Sequence, residues 1–148
     1  MEKELYTAGS LKERSEKFAK DNRAKEVLLY LLGPKSFAAY RDHCKGVTPA
    51  VIAEKYNLSI SSVYRVPIRA MSYIQSLSEV NRLIRSGASV TDIANVTFCK
   101  YSRAYKLSEL VRYVNTGEDR IGVRKANAAQ LKEIEIETSS KREKSERI

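Results

Sequence analysis

One stretch of this chain occurs twice, and an internal repeat restricts the fold more than any single motif does. Residues 46–68 read GVTPAVIAEKYNLSISSVYRVPI, and residues 88–109 read ASVTDIANVTFCKYSRAYKLSE, at an offset of 41 positions. Thr48 to Ala53 then lie over Ser89 to Ala94, and Leu58, Val63 and Val66 lie over Cys99, Ala104 and Leu107. Each copy reads as a short helix carrying an Ile-Ala pair, a tight turn, and a second helix whose apolar positions face back onto the first. The inner face of the first copy is Ile52, Ala53, Leu58, Val63 and Val66. That of the second is Ile93, Ala94, Cys99, Ala104 and Leu107. Ala53 matters because a larger side chain there would push the two helices apart.

Capping signals divide the rest of the chain. Ser10 followed by Glu13 is a capping box in a helical arm (1–23), and from Leu11 to Arg23 the only apolar positions are Leu11, Phe18 and Ala19. The run Val27 to Leu32 is apolar on most sides and belongs in the core or in a subunit contact, and Gly33–Pro34 ends it. Ser36 caps the next helix, with Phe37, Ala38, Tyr40, Arg41 and Cys44 on its inner side. Thr48, with Pro49 at the first helical position, opens the first repeated helix. Asn57 fits the left-handed turn, and Ser59 caps the helix that follows. Pro67 predicts a break, with one helix ending near Arg65 and a new one running to Ser86. Ser89 or Thr91 opens the second unit, and Asn115–Thr116–Gly117 stops its final helix. Phe98 stands where Asn57 stands in the first copy. Either that turn is shaped differently, with Phe98 buried, or the second copy is purely structural.

The expectation is an all-α, compact helical bundle. It has an arm (1–23), a core (24–117) holding two repeated units (48–66 and 89–107), and a mostly mobile charged tail (118–148). The tail has no aromatic residue and interleaves both charge signs, with at most a short helix over 127–137. Net charge is +9, and the excess is densest in residues 60–117, which hold 8 basic and 3 acidic side chains. Such a field suits a polyanionic partner or simply a well-solvated surface. His43 with Cys44 and Cys99 is too few ligands for a zinc site, so no metal or cofactor is expected. Both cysteines read as small core residues in a reducing compartment. No apolar run is long enough to cross a bilayer and no signal core opens the chain, so a cytoplasmic location is expected.

The outward faces carry the chemistry. In the first unit these are Ser59, Ile60, Ser61, Tyr64, Arg65 and Arg69, with Lys55 on the supporting helix placed for a backbone phosphate. Serine hydroxyls and free amides at a helix start suit phosphates, Arg65 offers its fork to guanine, and Ile60 suits a thymine methyl. In the second unit they are Lys100, Tyr101, Ser102, Arg103, Tyr105 and Lys106.

The segment IAEKYNLSISSVYR resembles the helix-turn-helix superfamily of bacterial, plasmid and phage regulators. The resemblance covers about 20 residues in each copy and identifies a module. It implies a DNA-binding transcriptional regulator, often dimeric on repeated sites. The resulting expectation is a repressor that binds sequence-specific double-stranded DNA with repeated or palindromic sites. Either both units enter successive major grooves, about 34 Å apart, or a homodimer forms through Val27–Leu32 or Ile68–Ile84. Two rivals stand beside it. One is a partition or packaging adaptor on clustered repeats whose C-terminal tail recruits a protein partner. The other is a protein-interaction bundle without nucleic acid. Enzymatic activity is not expected: no glycine-rich phosphate loop, carboxylate cluster or nucleophile–base pair stands out.

Overall fold

The computed structural model describes residues 8–146, with side chains for residues 19–137. Among these residues there are seven α-helices and no strand: α1 Ala8–Leu32, α2 Pro34–Cys44, α3 Pro49–Tyr56, α4 Ile60–Arg85, α5 Val90–Thr97, α6 Tyr101–Thr116 and α7 Val123–Glu146. The proposed capping side chains Ser10 and Glu13, and the packing of Leu11 and Phe18, lie outside the described side chains.

The repeat is present in the backbone, residue for residue. Both α3 and α5 have eight residues, and each ends on a left-handed residue, Asn57 or Phe98, at φ 54°. Leu58 N–H donates to the Ala53 carbonyl, and Cys99 N–H to that of Ala94. The equivalence extends upstream. The C-cap of α2 is Lys45 (φ −83°, ψ −2°) and that of α4 is Ser86 (φ −84°, ψ 3°), followed by Gly46 at φ 85° and Gly87 at φ 88°. One unit is therefore α2, α3 and the start of α4; the other is the end of α4, α5 and α6. They share α4, which spans about 39 Å at 1.5 Å per residue.

Two apolar clusters follow from this sharing. Ile52, Tyr56, Val63 and Val66 join Ala38 and Ala39 in the first. Val80, Leu83, Ile93, Ala104, Leu107 and Leu110 belong to the second, with Val27 and Val123. Every inner-face residue expected from the repeat is buried or half-buried.

Several expectations are corrected. Helix α4 does not break at Pro67 but runs through it. Proline inside a helix costs about 3 kcal/mol. Burial on both sides outweighs that, since Val63 and Val66 sit in one cluster and Val80 and Leu83 in the other. Helix α2 starts at Pro34 with Gly33 as N-cap, so Ser36 does not cap it. Its buried positions are Ala38, Ala39 and Asp42, and Cys44 is exposed rather than in the core. Of the run expected in the core or in a subunit contact, Val27, Leu29 and Leu32 lie in the core of this chain.

The segment expected to be a mostly mobile tail contains the 24-residue helix α7. Asp119 holds its start, accepting the amides of Gly122, Val123 and Arg124 at 3.0, 2.9 and 2.9 Å. Burial raises the Asp119 pKa, but these backbone donors outweigh it and leave the carboxyl below its ordinary value. Val123 is wholly buried, and Asn127 Nδ2 donates to the Glu26 carbonyl at 2.6 Å. Ile134 packs against the first cluster. Val123, Ala126, Asn127, Gln130 and Ile134 fall at helical spacing on the docked side of α7, while Leu131 and Ile136 are exposed.

Candidate nucleic-acid interface

Packing on one side of each repeated unit leaves the other side open. On α4, Val63, Val66 and Ala70 point inward, while Ile60, Tyr64 and Ile68 are 48 %, 61 % and 70 % exposed. Ser61, Arg65 and Arg69 are exposed beside them. Ile68 and Arg69 stay in line with the earlier residues because the helix continues through Pro67. Sequence reasoning missed Ile68 by placing a break there, although its spacing of four from Tyr64, itself four from Ile60, was the available signal.

The serines at the start of α4 are partly committed to the helix itself. Ser59 Oγ accepts the Ser62 amide at 3.2 Å, and its hydroxyl donates to Ser62 Oγ at 2.8 Å. Ser59 is thus the N-cap, as the sequence indicates. Its hydroxyl is less free for an outside phosphate than that of Ser61, which keeps a 3.2 Å contact with Ser59 Oγ.

Lys55, on the supporting helix as expected, also has a partner within the chain. Its Nζ donates to Asp42 Oδ2 at 3.1 Å, and the Tyr56 hydroxyl donates to the same oxygen at 2.8 Å. The Lys55 ammonium also lies 5.2 Å from the centre of the Tyr56 ring. Burial pushes the Asp42 carboxyl upward, but the Tyr56 and Lys55 hydrogen bonds outweigh it and hold the group below its ordinary value. Asp42 in turn raises the Lys55 pKa. This triad ties α2 to α3, and the Lys55 side chain stays 45 % exposed beside it.

In the second unit Lys100 is the N-cap of α6 without a side-chain capping bond, and Tyr101, Ser102, Arg103 and Tyr105 are exposed. Lys106 sits 5.0 Å from the Tyr30 ring centre, leaning over α1. Arg103 borders a small cleft shared with Gln75 and Glu79. Phe98 is 96 % exposed at φ 54° and ψ 40°. The turn therefore matches that of Asn57, and Phe98 is not buried. The side chain projects outward because the backbone is held by the Ala94–Cys99 hydrogen bond and by the inner-face packing.

The two outward faces differ in chemistry. At the 41-residue offset, Ile60 corresponds to Tyr101, Ser62 to Arg103, Tyr64 to Tyr105 and Arg65 to Lys106. Ile68 corresponds to Glu109, a buried carboxylate 3.7 Å from Arg120 and 4.0 Å from Arg112. No acidic residue occurs from Ile60 to Ser78 or from Lys100 to Ser108. Of the three acidic residues in 60–117, Glu79 is paired with Arg82 at 2.6 Å, Glu109 faces two arginines, and Asp92 closes the capping box with Ser89. The open faces are consequently positive, without carboxylates of their own.

A separate apolar cleft of about 400 Å³ lies between α1, α4 and α6, walled by Ala24, Leu28, Ile74, Leu77, Val111 and Val114. Among the described residues no helix is long and apolar enough to cross a membrane. Compared with known proteins, the chain matches no family model, no curated sequence and no solved structure.

Proposed function

We propose that the chain is a sequence-specific double-stranded DNA-binding protein built on two helix-turn-helix units, and that it regulates transcription as a repressor by occupying its site. The observation that carries this reading is the repeated corner. An eight-residue helix, a left-handed residue and a second helix recur at a fixed offset, with apolar inner faces packed and carboxylate-free basic faces open. Such a corner presents the start of one helix to a major groove while its partner helix supports it. The action proposed is binding without chemistry.

Dimerisation fits the same reading through α4, where Met71 and Ile74 are 50 % and 38 % exposed beside the apolar cleft. The adaptor alternative rests on the mixed-charge C-terminal segment as a partner surface, whose first turns dock onto the bundle through Val123 and Asn127. A protein-interaction role keeps one specific support, the near-complete exposure of Phe98.

Selection of bound duplexes from a random DNA pool tests the proposal, using the parent protein beside Arg65→Ala and Arg103→Ala. The expected result is one enriched motif that changes with Arg65→Ala; a further loss of a second half-motif on Arg103→Ala would show that both units read bases. Retention that falls with salt but enriches no motif would replace sequence reading by backbone binding. No retention at low salt would transfer the function to protein interaction.

A further inference from the structure

We infer that the exposed face of α4 reads thymine methyl groups, making the first unit a reader of thymine-bearing major grooves and leaving the second to bind mainly the phosphate backbone. This inference rests on the DNA-binding reading above. Residues 60, 64 and 68 are four apart on one unbroken helix, so their side chains follow a single line rising about 6 Å per step. All three are large, and their exposures increase along the helix from 48 % to 70 %. None of the three belongs to either apolar cluster, so core packing does not account for such large groups there.

Charge selects the occupant. Arg65 and Arg69 run beside the apolar line, and no carboxylate lies between Ile60 and Ser78. A surface with cations flanking a row of apolar side chains complements one that is anionic at its edges and apolar at points on its floor. A major groove has that arrangement where thymine presents its C5 methyl between two phosphate backbones. The second unit lacks the pattern. Its corresponding positions are Tyr101, Tyr105 and the buried Glu109, while Lys100, Arg103 and Lys106 supply charge. The same backbone corner is thus fitted with apolar readers in one copy and with basic groups in the other.

The experiment takes the duplex motif enriched from a random pool and compares it with the same duplex in which deoxyuridine replaces every thymidine. That exchange deletes the methyl and keeps the hydrogen-bonding edge. The thymidine duplex is expected to bind more tightly, by roughly fourfold for each methyl in contact. Ile60→Ala with Ile68→Ala should erase the preference between the two duplexes. Tyr101→Ala, at the equivalent place in the second unit, should leave the preference intact. Both isoleucines are exposed, and an unchanged thermal melt by circular dichroism checks that the variant folds. Equal affinity for the two duplexes would overturn the methyl reading while leaving specific DNA binding in place. An Ile60→Ala, Ile68→Ala variant that kept the preference would also overturn it. Failure to retain any duplex would remove both this inference and the function on which it rests.

Discussion

Asn57 and Phe98 hold the same backbone conformation, φ 54° with ψ 51° and φ 54° with ψ 40°, at corners 41 residues apart. For asparagine this is a tolerated state. For a bulky aromatic it crowds the side chain against its own carbonyl. The strain at Phe98 comes without compensating burial, because the ring is almost wholly in solvent. Phe98→Asn should therefore raise stability by about 1 kcal/mol, read as a higher urea midpoint with an unchanged slope. A lower midpoint would mean that the ring makes stabilising contacts in solution.

The carboxylate of Asp42 joins α2 to α3 through Lys55 and Tyr56. Its pKa is lowered in the folded chain, so its contribution is complete above the ordinary aspartate value of about 3.9 and is lost as pH falls through the depressed folded value. Asp42→Asn should cost about 2 kcal/mol at neutral pH and remove part of the acid limb of the stability profile below about pH 4. Chemical denaturation from neutral pH to pH 2.5 measures both. An acid limb unchanged in the variant would place the titration elsewhere.

Attachment of α7 depends on a polar junction under its first turns. Tyr113 donates to Glu26, Arg124 Nε donates to the Tyr113 hydroxyl at 3.0 Å, and Asn127 reaches the Glu26 carbonyl. Asn127→Ala should cost about 1 kcal/mol. It should speed amide hydrogen exchange at the start of α7 and leave α5 unaffected. Uniform acceleration across the chain would show that α7 unfolds only with the whole bundle.

Under the proposed division of labour, Lys100→Ala should weaken binding to all duplexes alike. It should flatten the dependence of log affinity on log salt by about 0.9. Arg65→Ala should instead change which sequences are preferred. A sequence-dependent loss on Lys100→Ala would make α6 a base reader as well.

Much of the site was legible because its determinants are local. Gly46, Pro49, Asn57, Ser59, Ser89 and Gly117 each act within a turn of chain, through backbone freedom or a capping oxygen. Their consequences appear where expected. The inner faces were legible for the same reason, since helical spacing alone assigns Ile52, Val63, Ile93 and Leu107 to one side. What escaped was the extent of the outer face. Ile68 became part of it only because α4 passes through Pro67.

The sequence by itself determined the repeat, the places where helices start and stop, and which side of each repeated helix is apolar. Tertiary structure decided the rest. Burial at both ends of α4 overrides the proline between them, and inner-face packing imposes on Phe98 the conformation that suits Asn57. Contacts with α1 and the first cluster dock α7, whose own composition is too polar to announce it. Lys55 gains Asp42 as a partner because α2 brings that carboxylate within 3.1 Å. Local propensity is encoded within a few residues. The free energy that settles a conflict of this kind comes from groups far apart in the chain, and only the folded packing brings them together.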